Sequence, residues 1–139
     1  MNNVAIYGGS FSPPHIGHVI CAQYVISTQD IDKIIIVPCN QHAFNKQLFD
    51  FDLRLKMCEY NFENIKNVEV SDIEKQLGGT YYTIRTLEYF KSSYPNWNLH
   101  LIVGEDIVNS SEIKKWKNYD EIEKLAKLIV LPRSKFKYH

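Results

Sequence analysis

One stretch of the sequence, from Gly8 to His18, combines residue types that suit the binding of an anion. An apolar run at residues 4–7 precedes it and apolar positions at helical spacing follow at residues 19–26, so the stretch is predicted to join a strand to a helix. Its adjacent glycines let the backbone come close to a ligand. The N terminus of a helix carries unpaired N–H groups and a partial positive charge, which bind phosphate. Since His15 and His18 lie one helical turn apart at that end, the pattern predicts a phosphate-binding turn.

The spacing within this stretch is more specific than that of a glycine-rich turn. It resembles the G-x-F-x-P-x-H-x-G-H signature of the nucleotidylyltransferase superfamily, with every signature position filled. The matching residues are Gly9, Phe11, Pro13, His15, Gly17 and His18. Because the two histidines of that family bind the phosphates of a nucleoside triphosphate, the resemblance implies that His15 and His18 bind ATP and act in catalysis. The other ATP-binding residues implied in this stretch are Gly8, Gly9, Ser10 and Phe11.

Two other interpretations of the histidine pair stay open. His15, His18 and Cys21 have the i, i+3, i+6 spacing of a metal-ligand set, and the two rings could instead be purely structural. Zinc usually takes three or four protein ligands in a fixed geometry, and Cys21 falls within an apolar helical run. Phosphate binding is therefore favoured, and no metal-ligating residue is predicted.

The composition fits a globular domain with a small-molecule ligand. The chain has 139 residues, of which 45% are hydrophobic, and it is predicted to form a single domain over residues 1–139. Lys+Arg and Asp+Glu each number 16, so no net charge attracts nucleic acid or an anionic membrane. The odd number of cysteines, three, and the lack of a signal-peptide pattern predict a soluble cytoplasmic protein with reduced thiols.

Apolar runs typical of strands alternate with helical stripes along the whole chain. Strands are predicted at residues 4–7, 33–38, 67–71, 99–104 and 128–132, and helices at 19–26, 51–64, 82–94 and around Trp116. This alternation predicts an α/β protein with a doubly wound parallel sheet of five strands, the Rossmann-like fold of the nucleotidylyltransferases. Ligands of such sheets bind beyond the carboxyl ends of the strands, so the loops at those ends should face one crevice.

The predicted loop after the second strand, residues 39–50, offers a histidine and a lysine. With the next helix it resembles the V-P-x-x-x-H-x-x-x-K and R-x-x-M motifs of the nicotinate (or nicotinamide) mononucleotide adenylyltransferases, and His42, Lys46 and Arg54 fill the matching positions. The resemblance implies that all three bind the mononucleotide and that Lys46 also acts in catalysis as a point charge on phosphate. The alternative is a solvated loop with incidental charges.

Residues 80–87 resemble the S-Y-T-x-x-T-L segment of the same family, whose backbone receives the pyridine carboxylate or amide. Matching places Tyr82 and Thr83 at that position, although a helix N-cap explains a threonine after Gly-Gly equally well.

Two further matches follow. Gly104-Glu105-Asp106 resembles the family's G-A-D, which implies that Gly104 and Asp106 bind ATP, while Glu105 departs from the small residue usual there. Trp116 matches a tryptophan that stacks on the pyridine ring, but its helical spacing from Ile113 leaves a core role open.

The resemblance implies transfer of AMP from ATP to nicotinate (or nicotinamide) mononucleotide, which gives a pyridine dinucleotide and pyrophosphate in NAD biosynthesis. The attacking phosphate is already ionised at neutral pH, so no general base is needed. Catalysis then depends on positioning and on charge neutralisation. The expected partners are ATP and a pyridine mononucleotide, with Mg²⁺ carried by ATP as the cofactor and with no nucleic acid or membrane.

One family segment has no counterpart in this sequence. The family has an I-S-S-T-x-I-R segment after the fifth strand that grips the β and γ phosphates, and nothing like it follows Leu131. Three explanations stay open: a C-terminal truncation, a substitute grip from Arg133, Lys135 and Lys137, or a protein that binds nucleotide without turnover. A further alternative is another transferase of the superfamily, acting on a phosphopantetheine or a glycerol phosphate.

Overall fold

The computed structural model describes residues 2–40, 48–79 and 83–132 of the chain. Its five strands form one sheet in which every neighbouring pair is parallel, in the order β3-β2-β1-β4-β5. The strands are β1 (Asn3–Gly9), β2 (Lys33–Pro38), β3 (Val68–Val70), β4 (Asn98–Gly104) and β5 (Lys127–Leu131). The predicted five-stranded, doubly wound parallel sheet is confirmed.

Helices cover both faces of the sheet. They are α1 (Ile16–Thr28), α2 (Phe51–Phe62), α3 (Ile73–Leu77), α4 (Thr83–Ser93), α5 (Glu105–Asn109) and α6 (Tyr119–Leu125), with a 3-10 helix at Glu112–Lys115. Side chains of α1 and α2 share one apolar cluster, and those of α3, α4 and α6 share the other. Successive β1 residues alternate between them, because neighbouring side chains of a strand point to opposite faces.

Two stretches differ from the sequence prediction. Helix α3, of five residues, is not predicted, because one turn and a half is too short to show a periodic pattern. The helical region predicted around Trp116 is divided into α5, the 3-10 helix and α6, since Ser111 and Asn118 adopt left-handed φ angles of 62° and 56°. Trp116 itself lies in extended backbone between the last two elements.

The expected crevice lies where β1 and β4 stop pairing. The ladder between them runs from Asn3↔Asn98 to Ile6↔Leu101. Beyond it, the ends of β1 and β4 pair outward with β2 and β5, respectively. Strand order reverses between β1 and β4, which is where open parallel sheets bind ligands. The loops after β1 and β4 therefore flank the expected site.

None of the helices in the described ranges has both the length and the apolar character that a bilayer span requires.

Candidate active site

The N terminus of α1 is built around two imidazoles. His15 immediately precedes the helix and has an extended backbone, with φ of −147° and ψ of 178°. Its Nδ1 accepts a hydrogen bond from the N–H of Gly17 at 3.0 Å, and the N–H of His15 donates to Nδ1 of His18 at 3.0 Å. The two histidines thus cap the helix reciprocally, in the arrangement that Ser or Thr and Glu usually supply.

These two hydrogen bonds determine where the imidazole protons lie. An Nδ1 atom that accepts a hydrogen bond bears no hydrogen, so each neutral ring carries its proton on Nε2. The ring centroids of His15 and His18 are 4.0 Å apart, with an interplanar angle of 33°. The two rings therefore lie side by side, and Nε2 is the donor nitrogen of each.

Fewer main-chain N–H groups of the first turn are available to an anion than the sequence predicts. The N–H of Gly17 is occupied by the His15 ring, and the N–H of His18 donates to the carbonyl of His15 at 2.9 Å. An anion at this helix end would therefore meet the imidazoles and the partial positive charge of the helix terminus, and its binding there stays a prediction.

Phe11 supports the imidazole of His18 from within the protein. The Phe11 side chain is only 2% exposed, and its ring lies edge-on to that of His18 with centroids 4.8 Å apart. A Cβ atom on Gly9 would lie 3.3 Å from the Phe11 ring. Gly8 and Gly9 belong to β1 rather than to the turn, and the requirement at Gly9 is room for an aromatic ring.

Gly17 has an equally specific reason to be glycine. A Cβ atom there would lie 2.8 Å from Cε1 and 2.9 Å from Nδ1 of His15, closer than real Cβ contacts. The sequence places Gly17 in the signature but does not reveal this reason, because the contact depends on the rotamer of the capping ring.

Arg54 lies on α2 with its side chain only 1% exposed. Its side chain donates to four main-chain carbonyls, including those of Ser10 at 2.9 Å and Cys39 at 2.7 Å, and also hydrogen-bonds the side chain of Cys39. The predicted contact with a mononucleotide stays a prediction. Three other predicted residues, His42, Lys46 and Tyr82, lie outside the described residues.

The end of β4 brings the second predicted segment to the crevice. Gly104 is buried at the last position of β4, and Asp106 is exposed in the first turn of α5. The structure thus brings the signature turn and the Gly104–Asp106 segment to the carboxyl ends of two adjacent strands. Contact of either residue with ATP stays a prediction.

A buried carboxyl group lies beneath the start of α4. Thr83, the first residue of α4, is 8% exposed, and one turn later the hydroxyl of Thr86 donates to Glu74 on α3. Glu74 is 1% exposed, and burial raises the pKa of its carboxyl, opposed by that hydrogen bond and by the charge of Arg85. Sequence reasoning missed Glu74; the available signal was Thr86, which matches the last threonine of the S-Y-T-x-x-T-L segment.

Trp116 is half-buried and packs against the apolar cluster that contains Ile113 and Ile122. Packing against this one cluster explains why Ile113, Trp116 and Ile122 recur at helical spacing, although they do not share a helix. Stacking of Trp116 on a pyridine ring stays a prediction.

Cys39 is a buried thiol beside the signature turn. Burial raises its pKa, opposed by the charge of Arg54 and a hydrogen bond with the side chain of Ser10. A thiol with a raised pKa is a poor nucleophile at neutral pH, so the residue contributes packing rather than covalent chemistry.

Across residues 2–40, 48–79 and 83–132, no group of three or more His, Cys, Asp or Glu side chains is placed to hold a metal ion. A cavity of about 730 Å³ lies at the opposite, amino-terminal edge of the sheet, where its lining includes Asn3, Asn98 and Lys127. Neither histidine of the signature turn lines that cavity, and ligands of parallel sheets bind at the carboxyl edge. The crevice between β1 and β4 is therefore the candidate site.

Comparison with known proteins identifies the family. The cytidylyltransferase-like family model matches residues 6–139. The chain belongs to this family. The match begins within β1 and includes the signature turn, the other four strands and the segment that carries Trp116.

Curated relatives share one name, "Probable nicotinate-nucleotide adenylyltransferase". The relative from Fusobacterium nucleatum is 45% identical over 133 residues, which cover 94% of this cytidylyltransferase-like chain and 67% of the relative. Those from Anaeromyxobacter dehalogenans and Thermotoga maritima are 35% and 39% identical, covering 94% and 95% of this chain. The chain spans 70% and 63% of the lengths of these two proteins.

Solved structures agree on the fold. The Plasmodium falciparum nicotinic acid mononucleotide adenylyltransferase complexed with NaAD superposes with a TM-score of 0.85 at 23% identity, over 100% of this chain and 68% of that one. The same enzyme complexed with APC gives a TM-score of 0.81 at 23% identity, with the same two coverages. At this level of identity the likeness shows the fold alone.

Proposed function

We propose that this chain transfers AMP from ATP to nicotinate (or nicotinamide) mononucleotide and releases pyrophosphate, a step of NAD biosynthesis. The observation that carries the proposal is the pair of imidazoles that cap the start of α1, next to the point where β1 and β4 stop pairing. The names of the relatives support the choice of reaction. A cytoplasmic location is part of the same proposal.

In the proposed reaction the protein mainly positions the two substrates and offsets the charge of their phosphates. An oxygen of the mononucleotide phosphate attacks the α-phosphorus of ATP, and the bond from that phosphorus to the pyrophosphate oxygen breaks. No proton needs to be transferred, since the attacking phosphate is already ionised. His15 and His18 donate from Nε2 to the triphosphate and offset charge on the departing pyrophosphate, and Lys46 adds a positive charge.

Mg²⁺ would enter with ATP. This ion keeps several waters and is usually held by one or two carboxylates plus the phosphates of the substrate, so it does not require a three-ligand protein cluster. Asp106, exposed in the first turn of α5, is a carboxylate that fits this role. The ion would supply neutralisation of phosphate charge.

The test is a turnover assay with matched variants. The protein is incubated with ATP, Mg²⁺ and nicotinate mononucleotide, and the dinucleotide and pyrophosphate are measured, with nicotinamide mononucleotide as a parallel acceptor. His18→Ala should lower kcat more than about tenfold, because one phosphate donor is lost. His100→Ala, a change in the amino-terminal half of β4, is the matched control and should leave kcat unchanged. Near-normal turnover by His18→Ala would contradict the role of that ring.

A second candidate is a nucleotide-binding module without turnover. The observation that suits it is the imidazole pair at the start of α1, which can bind a triphosphate whether or not an acceptor reacts. Calorimetric binding of ATP without pyrophosphate release would support the module. Release only with a phosphopantetheine or glycerol phosphate acceptor would support another transferase of the superfamily.

A further inference from the structure

Arg54 is a buried cation whose hydrogen-bonding capacity is almost fully used by the main chain. Its side chain is 1% exposed. Nε donates to the carbonyl of Phe49 at 2.7 Å, and Nη1 donates to Ser10 at 2.9 Å and to Cys39 at 2.7 Å. Nη2 donates to the carbonyl of Asn40 at 3.4 Å. Four of the five N–H groups of the guanidinium are thus engaged with carbonyl oxygens.

These carbonyls belong to three separate segments of the chain. Ser10 lies in the signature turn after β1, 44 residues from Arg54, and Cys39 follows β2 at a separation of 15 residues. Phe49 lies just before α2. One guanidinium therefore contacts the turn that carries the two imidazoles and both described flanks of residues 41–47.

Two further hydrogen bonds join the same segments. The N–H of Phe49 donates to the hydroxyl of Ser12 at 2.8 Å, and the N–H of Cys39 donates to the carbonyl of Gly9 at 2.9 Å. The first bond links the signature turn to the Phe49 flank, and the second links the last residue of β1 to the Cys39 flank. The three segments consequently form one hydrogen-bonded unit with Arg54 at its centre.

We propose that Arg54 is a positioning residue that holds the ATP-binding turn and the flanks of the second loop in register, rather than a residue that contacts the mononucleotide. The planar fork of arginine can reach carbonyls in several directions at once, whereas lysine offers donors from a single nitrogen. Removal of the guanidinium leaves buried carbonyls without partners, which loosens the turn that presents His15 and His18. The inference rests on the proposed function, since ATP is one of its probes.

The experiment measures Arg54→Lys in the ligand-free protein and with ATP alone. Amide hydrogen exchange at Phe49 and Cys39, followed by NMR, should be at least about tenfold faster in Arg54→Lys than in the wild-type protein, because the hydrogen-bonded unit opens locally. Exchange at Leu101 in the β1–β4 ladder should not change. The ATP dissociation constant, measured without mononucleotide, should rise at least about tenfold. Lys56→Gln, which removes an exposed charge from the same helix, is the control and should alter neither quantity.

The outcomes separate positioning from direct contact. Unchanged exchange and unchanged ATP affinity, with a higher KM for the mononucleotide only, would overturn the proposal and favour contact. If Arg54→Lys does not fold, Ser12→Ala removes one link of the unit and should weaken ATP binding in the same direction, and an unchanged affinity would overturn the proposal. Thr28→Ala, which removes a hydroxyl at the other end of α1, is its control.

The proposed function can fail separately. A protein that makes no dinucleotide contradicts the reaction, while exchange at Phe49 and Cys39 still decides the role of Arg54.

Discussion

Substitution of Gly17 by alanine should separate function from stability. The new methyl group would lie 2.8 Å from the His15 ring, so the ring must shift. We expect this shift to break the hydrogen bond from the N–H of Gly17 to Nδ1 and to separate the rings of His15 and His18, which now lie 4.0 Å apart. The substitution thus displaces a proposed phosphate donor without changing its chemical identity.

The two effects on stability nearly offset each other. Loss of a helix cap costs about 1 kcal/mol. Alanine in place of glycine within a helix contributes up to about 1 kcal/mol in the opposite direction. The net change should lie within about 1 kcal/mol, which for a chain of this length shifts Tm by only about 4 °C. Loss of a preorganised donor to a transition state, in contrast, costs about 100-fold in kcat.

The assay compares kcat for dinucleotide formation with Tm for Gly17→Ala. The control is Ile16→Ala, a change in the same helical turn at a side chain that is 68% exposed. We expect kcat to fall at least about tenfold in Gly17→Ala, with Tm nearly unchanged, and neither to change substantially in the control. A normal kcat for Gly17→Ala would refute the argument that catalysis requires the His15 ring in its helix-capping position.

Three further predictions concern the buried groups. Burial raises the folded-state pKa of Glu74 above its unfolded value, so the folded protein binds more protons and stability should fall as pH rises from about 4.5 through the folded pKa. Glu74→Gln can still accept the hydrogen bond from Thr86, but it does not titrate. The free energy of unfolding, measured with urea between pH 4 and 8, should therefore fall with pH in the wild-type protein and not in the variant. The same pH dependence in both proteins would contradict the burial argument. Phe11→Ala should lower the free energy of unfolding by about 3–5 kcal/mol, because a buried ring is replaced by a cavity, and a loss below about 1 kcal/mol would show that the ring is not needed. Burial raises the pKa of Cys58 to about 12, so at pH 8.5 iodoacetamide should modify it about a thousandfold more slowly than a free thiol, with unfolded protein as the control; rapid labelling in the folded state would contradict this.

The sheet and the signature turn were predictable from the sequence because their signals are local. Buried parallel strands are continuous apolar runs, and the turn is a set of fixed spacings within eleven consecutive residues. The role of Arg54 was not predictable in this way, because its partners at Ser10 and Cys39 come together only when three segments have folded. The burial of Glu74 was not predictable either, because a glutamate in a short polar helix is usually exposed to solvent.

The partners of the signature residues explain why the motif is so restrictive. The His15 ring accepts a hydrogen bond from the N–H of Gly17, and the His18 ring accepts one from the N–H of His15. The ring of Phe11 packs edge-on against that of His18, and the absence of a side chain at Gly17 leaves room for the His15 ring. Most of these contacts lie within the protein rather than toward a substrate. A reaction that needs no proton transfer gains its rate from the placement of charges, so residues that fix two imidazoles contribute as much as residues that touch phosphate. It follows that a conservative exchange within this set, such as glycine to alanine, should be as damaging to turnover as the loss of a donor.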